Sequence, residues 1–328
     1  MRAFATVPGL AILLAALPAV GAETDYGTFS LQIENDRVAA TDRHYTHGTR
    51  LGWVSPRGEP PAWSARLFDG IFHQVQGQRR LGFSLGQSIF TPDDTESIAV
   101  VEDDRPYAGW LYGGMELIVE DADDFRRVAL DLGIVGPSAR AEETQNEFHE
   151  LIGVSRSNGW DNQLNDEPGF ALFAERKWRD ASRFPFAGVN GDVTWNLGGS
   201  LGNVLTYAAA GVALRVGNQL DSDFGPPRIR PSLSGSAFFD PVPFRKFGWY
   251  LFAGVELRAV GRNIFLDGNT ISDSHDVSKK PVVGDFQAGL ALFYGRARLT
   301  YTGVFRTKEF DGQPEADRFG AISLSVTF

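Results

Sequence analysis

In the segment Phe319-Gly320-Ala321-Ile322-Ser323-Leu324-Ser325-Val326-Thr327-Phe328, the residues Gly320, Ile322, Leu324, Val326 and Phe328 fall on one face of an extended chain. Ala321, Ser323, Ser325 and Thr327 fall on the other. Neighbouring side chains of a strand point to opposite sides, so this is a strand with one apolar face and one small, polar face. Two architectures use such strands. A soluble sandwich turns the apolar faces inward, whereas a membrane barrel turns them out to lipid and the polar faces in to a lumen.

The strand ends on an aromatic residue and resembles the signal by which bacterial outer-membrane barrels are recognised for assembly, which favours the barrel. Met1-Arg2, the apolar run from Val7 to Val20 and the small residues Gly21-Ala22 have the three regions of a secretory signal. Residues 1–22 are therefore expected to be a signal peptide and 23–328 the barrel. That run is too short for a spanning helix, and no later segment has the roughly 20 consecutive apolar residues a bilayer helix needs. Alternation hides apolar surface from the average, so a slightly negative mean hydropathy is compatible with a membrane barrel.

Period-two stretches recur upstream with turn residues between them. They run from Thr28 to Glu34, Thr46 to Ser55, Arg80 to Phe90, Trp110 to Val119, Arg126 to Val135 and Phe170 to Trp178. Others run from Leu205 to Val216, Ile229 to Phe239, Trp249 to Val260, Val282 to Phe293, Arg298 to Thr307 and Phe319 to Phe328. The expectation is an all-β, transmembrane antiparallel barrel of about twelve strands, an even number as bacterial barrels require. The segment from Val189 to Asn203 reads as part of a long turn. Asp131, Glu256 and Arg258 fall on the polar phase, where a lumen tolerates charge, and Trp53, Trp110 and Trp249 read as interface girdle residues. With a periplasmic N-terminus, parity places the connections 35–45, 91–108, 137–167, 217–228, 266–281 and 308–318 on the outer side.

The chain has no cysteine, which excludes disulfides and a thiol nucleophile. Its 41 acidic against 31 basic residues argue against a nucleic-acid partner. Acidic loops more naturally hold divalent cations.

The unusual residues gather in the first three outer connections. Glu34-Asn35-Asp36 precedes Thr41-Asp42-Arg43-His44-Tyr45-Thr46-His47-Gly48. Glu102-Asp103-Asp104-Arg105-Pro106-Tyr107 lies in the second connection, and Gln145-Asn146-Glu147-Phe148-His149 followed by Gly159-Trp160-Asp161 in the third. In the third, Ser138 can cap a short helix running to about Ile152, which Gly153 is placed to end. Gln145 and His149, four apart, then share a helix face beside the apolar Phe148, Leu151 and Ile152.

These elements, in this order, resemble the lipid A 3′-O-deacylase family of Gram-negative outer membranes, over essentially the whole mature chain. The resemblance implies a carboxylic ester hydrolase that uses Ca2+ to remove an acyl chain from lipid A in lipopolysaccharide, acting at the outer leaflet. By matching position it implies His149 as general base, Asp36 as calcium ligand, and Asn35, Thr46 and Gln145 as groups orienting base, water or substrate. Asp104 and Arg105 are candidates for substrate contact, Arg105 to a lipid A phosphate. Six residues beyond His149 the family pattern calls for an acidic residue and this chain has Ser155, so Asp161, Glu167 or Asp104 could supply a ligand instead. Outer-membrane lipid is the expected surrounding and a monomer the expected state.

Blander readings stand beside these. A lone histidine on a loop helix is commonly structural, and Glu102 to Arg105 reads equally well as a salt-bridged loop. His44, His47, His73 and His275 read as surface or rim residues. An outer-membrane phospholipase needs a serine nucleophile, for which these connections hold no recognisable motif, and a non-catalytic pore or receptor would use the same loops to gate or bind.

Overall fold

The computed structural model describes residues 27–36, 44–58, 60–179 and 183–328, so the expected signal peptide and Thr41 to Arg43 lie outside the described residues. The strands are β1 (Thr28–Asn35), β2 (His44–Val54), β3 (Gln78–Thr91), β4 (Ala108–Glu120), β5 (Asp124–Val135) and β6 (Glu167–Arg179). They continue as β7 (Phe184–Phe186), β8 (Val189–Gly202), β9 (Leu205–Gly217), β10 (Phe247–Asn263), β11 (Val282–Tyr294), β12 (Ala297–Arg306) and β13 (Asp317–Thr327). All pairings are antiparallel; β1 joins β13 and β6 joins β8, so twelve strands close into a barrel while β7 adds a three-residue rung to β8. Closure leaves no strand edge with unpaired backbone groups, the condition for crossing a bilayer with strands. No helix among the described residues is long and apolar enough to cross a membrane.

The two faces follow the sequence phase. Phe29, Leu51, Leu85, Leu132 and Leu257 point outward and are about half exposed, an apolar belt that only lipid covers without cost. Asp131, Glu256 and Arg258 are buried inside as expected. Arg258 Nη1 donates to Glu256 Oε1 and Asp285 Oδ2, both at 2.9 Å, and Arg230 Nη2 reaches Asp131 Oδ2 at 3.4 Å. Buried charges of this kind persist only when paired.

Two strand assignments are corrected, and they cancel in the count. Val189 to Gly202 is not a turn, as an even strand count requires when 229–239 is counted in the wall, but β8: Asp192, Thr194 and Asn196 face in while Trp195 and Leu197 face out. Ile229 to Phe239 is not a strand but part of the 218–246 connection, which runs from the terminal end of the barrel up inside it. Pro226, Pro227 and Pro231 lack the N–H a central strand must donate. The lumen satisfies this segment from all sides. Arg228 Nε and the Ile229 N–H donate to Glu34 Oε1 at 3.1 and 2.9 Å, Gln287 Nε2 donates to the Leu233 carbonyl, and Arg306 Nη2 donates to the Pro231 carbonyl. Beside this plug remain small interior cavities of about 20 to 30 Å³, and at the terminal end a wider, open one of about 470 Å³ lined by Asp221, Asp223, Phe224 and Asp240 of the connection. The expected outer connection 217–228 consequently lies at the end that holds Gly27 and Phe328. Trp110 is also corrected: it shares the inward phase of Tyr112, stacks on it at 5.5 Å and is buried in the lumen.

Candidate active site

Strict alternation would place Thr46 and His47 on opposite faces of β2. Tyr45 pairs with Phe90 and His47 with Ile89, so Thr46 is the extra residue of a β-bulge. Glu34, Tyr45, Ser88 and Phe90 line the lumen. Asn35, His47 and Ile89, one step out of phase with them, therefore face the outside of the barrel wall. A cleft of about 70 Å³ lies there, lined by Asn35, Thr46, His47, Ile89, Thr144, Gln145, Phe148 and His149. Asn35 Nδ2 donates to the Thr46 carbonyl at 2.9 Å and approaches His47 Nδ1 at 3.3 Å, while Thr46 and Thr91 share a hydroxyl hydrogen bond of 2.7 Å.

Two helices bear on this wall and are numbered in chain order: α1 (Ala62–Ile71), at the terminal end, and α2 (Ala141–Ile152), which roofs the cleft. The expected Ser138 cap is corrected: Pro137 to Ala139 form a 3-10 turn, Ser138 Oγ donates to Asp166 Oδ2 at 2.6 Å, and Arg140 occupies the position before the helix. Gly153 ends the helix with φ of 71°, a left-handed conformation glycine adopts without strain. The close approach of α2 to the wall requires Gly109 on the outer phase of β4, because a Cβ there would stand 2.6 Å from Ala141 Cβ. Gln87 Nε2 on β3 adds a hydrogen bond to the Ala139 carbonyl at 2.8 Å.

Helix α2 buries polar residues and leaves an apolar stripe exposed. Its buried face carries Ala141, Gln145, Asn146 and His149, and its exposed surface is divided between the acidic Glu142, Glu143, Glu147 and Glu150 and an apolar stripe of Phe148, Leu151 and Ile152, with Leu151 80 % exposed and Phe148 reaching into the cleft. Such a stripe suits contact with lipid, while the glutamates beside it stay in water.

His149 bonds through Nδ1 to the Ser155 carbonyl at 2.7 Å. A carbonyl only accepts, so in the neutral ring Nδ1 carries the proton and Nε2 the lone pair. The departure at Ser155 thus falls where the backbone, not the side chain, orients the histidine. Gln145 Oε1 accepts from Trp160 Nε1 at 2.9 Å, which fixes the amide; its buried Nε2 has no hydrogen-bond partner among the described residues. Trp160 packs on Tyr107 at 4.8 Å. Burial pushes the Tyr107 hydroxyl up to about 12, so it stays protonated and donates to the Thr95 carbonyl at 3.2 Å.

The structure thus brings Asn35, Thr46, Gln145 and His149 into one cleft, with buried Asp36 next to Asn35 in the chain. It does not bring Asp104 and Arg105 there. Arg105 is 1 % exposed, lies over the Phe90 ring at 5.1 Å and reaches Glu309 at 3.5 Å, all on the lumen side. Asp104 accepts from the Asp93 and Arg105 N–H groups, both at 2.7 Å. Glu167 accepts from Asn203, Asn269 and Thr270, and Asp161 sits in an exposed turn; neither lines the cleft. His47, read from sequence as a rim residue, lines the cleft and packs its ring on Phe148 at 6.1 Å. Thr144 and Ile89 were not singled out, because only the bulge and the docked helix bring them to the site. Oxygen donors at Asp36, Asn35 and nearby carbonyls are the type calcium takes. Among the described residues no three His, Asp or Glu side chains cluster, so such an ion would draw mainly on neutral oxygens.

Fold and cleft together define a membrane β-barrel with a buried histidine between its outer wall and a helix docked on that wall. Over residues 9–328 the sequence matches the family described as outer membrane protein LpxR, and the chain belongs to that family. Among solved structures it is similar to LpxR from Salmonella typhimurium, with a TM-score of 0.75 and 21 % identity over 92 % of this chain and 100 % of that one. A fainter likeness, TM-score 0.43 at 10 % identity over 93 % and 98 % of the two chains, is to the β domain of the Bordetella autotransporter Brka. No curated protein sequence matches.

Proposed function

We propose that this outer-membrane barrel is a calcium-dependent lipid A 3′-O-deacylase, a hydrolase of the ester-linked 3′ acyl chain of lipopolysaccharide. The observation that carries the reading is the hydrogen bond between His149 Nδ1 and the Ser155 carbonyl, which in the neutral ring leaves Nε2 as acceptor in a cleft on the outer wall. In this reading Nε2 takes a proton from water as the oxygen attacks the ester carbonyl, and returns it to the leaving sugar oxygen. The acyl–oxygen bond breaks, releasing a fatty acid and a sugar hydroxyl. Gln145 Nε2 donates to the carbonyl oxygen as negative charge develops on it. Asn35 and Thr46 hold the wall side of the cleft, and Asp36 with neighbouring neutral oxygens would hold calcium. When bound, calcium polarises the ester carbonyl.

A site on the outer wall suits a substrate whose acyl chains already lie in the leaflet. It also favours hydrolysis over the pore reading, since the lumen is plugged. No serine lines the cleft, which favours activated water over a serine phospholipase. A secretory signal in residues 1–22, a site facing the outer leaflet and a monomeric enzyme belong to the same reading. Mass spectrometry of lipid A from cells producing the protein tests it. Loss of one ester-linked acyl mass is expected, and an unchanged spectrum from folded protein in calcium-replete medium overturns it.

A further inference from the structure

Helix α1 lies in the connection between β2 and β3, at the opposite end of the barrel from the cleft. Its sequence, AWSARLFDGI, has two apolar stripes where a surface helix normally has one. The first is packed: Phe68 and the following Phe72 are buried against Leu81, Leu117 and Val119. Those three alternate with Arg80, Ile118 and Glu120, which face the lumen side, so they belong to the outer wall. The second stripe, Trp63, Leu67 and Ile71, is 56 %, 41 % and 47 % exposed. Asp69 lies on a third face, where it pairs with Arg79 at 2.9 Å; the Arg79 guanidinium covers the Phe68 ring at 5.5 Å. The helix is thereby fixed in rotation, with its second stripe turned away from the wall.

This stripe continues an interface already described. Further along β3 the outer wall carries Phe83 and Leu85, exposed to lipid. At Leu81 the helix takes the place lipid holds there and presents its own apolar surface instead. From Leu81 under α1 to Ile89 in the cleft is eight residues of β3, roughly 26 Å of strand. At the usual tilt this is about 20 Å along the barrel axis, close to the height of a barrel's apolar band. The cleft and α1 therefore lie near opposite faces of one bilayer.

We propose that α1 is an interfacial lipid anchor whose Trp63, Leu67 and Ile71 insert among phospholipid acyl chains in the leaflet opposite the cleft. A tryptophan at the edge of an amphipathic helix lying along a barrel is the arrangement that the bilayer interface favours. The anchor would hold the barrel at a fixed depth and tilt.

The absence of cysteine makes the test clean. Leu67→Cys, Ile71→Cys and Asp69→Cys variants of the full chain carry an environment-sensitive fluorophore in phospholipid vesicles, and heat-modifiable gel migration selects folded protein. At positions 67 and 71, brominated phospholipids should remove most of the emission and aqueous iodide little, with the reverse at position 69. Iodide quenching at 67 and 71 equal to that at 69 overturns the proposal by showing the stripe in water. Protection from both quenchers also overturns it, since a second copy or another protein would then cover the stripe. Either labelled position alone suffices if the other variant does not fold.

Discussion

His149 is prepared for one role by one hydrogen bond: the Ser155 carbonyl holds the Nδ1 proton, so Nε2 is the basic nitrogen. His149→Ala should lower lipid A deacylation by about 10²–10⁴-fold, the usual contribution of a general base, while heat-modifiable migration stays normal. Near-normal turnover in that variant would assign His149 a structural role and move attention to His47. Gln145 depends on Trp160 for its orientation. Trp160→Phe keeps the aromatic packing but loses the N–H, and a hydrogen bond of about 0.5–1.5 kcal/mol translates into a loss of up to about tenfold in turnover. At Asp36, the carboxylate proposed for calcium, chelation should abolish activity and added calcium restore it, and full activity after rigorous metal removal would reject the ion.

At the scale of elements, the site exists because a strand and a helix each break a local rule. The bulge at Thr46 puts two consecutive residues of β2 on the outer side of the wall, and α2 buries Gln145, Asn146 and His149 while leaving an apolar stripe exposed. Both were partly legible: the four-residue spacing of Gln145 and His149 and the position of Gly153 identify the helix, and Phe148, Leu151 and Ile152 mark its apolar stripe. The direction of that stripe was not legible, since periodicity is the same whether a face meets a core or lipid. Gly109 joins the two elements. Gly109→Val adds a Cβ and branches where Ala141 already stands, an overpacking cost of about 1–3 kcal/mol that the helix can relieve by lifting off. Turnover should fall sharply in a barrel that still migrates as folded. Wild-type activity would show that α2 need not sit against the wall.

Across the whole molecule, the lumen is stabilised by buried ion pairs between the wall and the 218–246 connection. Arg228 meets Glu34 and Arg298 Nη1 meets Asp223 Oδ2 at 2.6 Å. Glu34→Ala leaves the Arg228 guanidinium buried without its carboxylate, a change that typically costs about 3–5 kcal/mol. The temperature at which the compact gel form is lost should fall clearly, and an unchanged transition would mean that the plug contributes nothing to the fold. In planar bilayers the wild-type protein should show no steady conductance, and open-channel currents would restore the pore reading.

Alternation along the chain determined most of the wall, because side-chain period in a strand is two and lipid and lumen select opposite residues. It also determined that Asp131, Glu256 and Arg258 are interior and that the motif residues gather at one rim. It misassigned Val189 to Asn203 and Ile229 to Phe239 together, because once 229–239 is counted in the wall an even strand number leaves 189–203 as a turn. An alternating segment can be a strand in the wall or a chain threaded through the lumen, and only the partners in space distinguish them. The same limit applies to Arg105: a charged residue in an outer connection reads as accessible, yet tertiary packing turns it over Phe90 into the barrel. The composition of the cleft was likewise a tertiary decision. A one-residue bulge, one glycine on the wall and one backbone carbonyl bring residues more than a hundred positions apart to the same few ångströms of the outer surface.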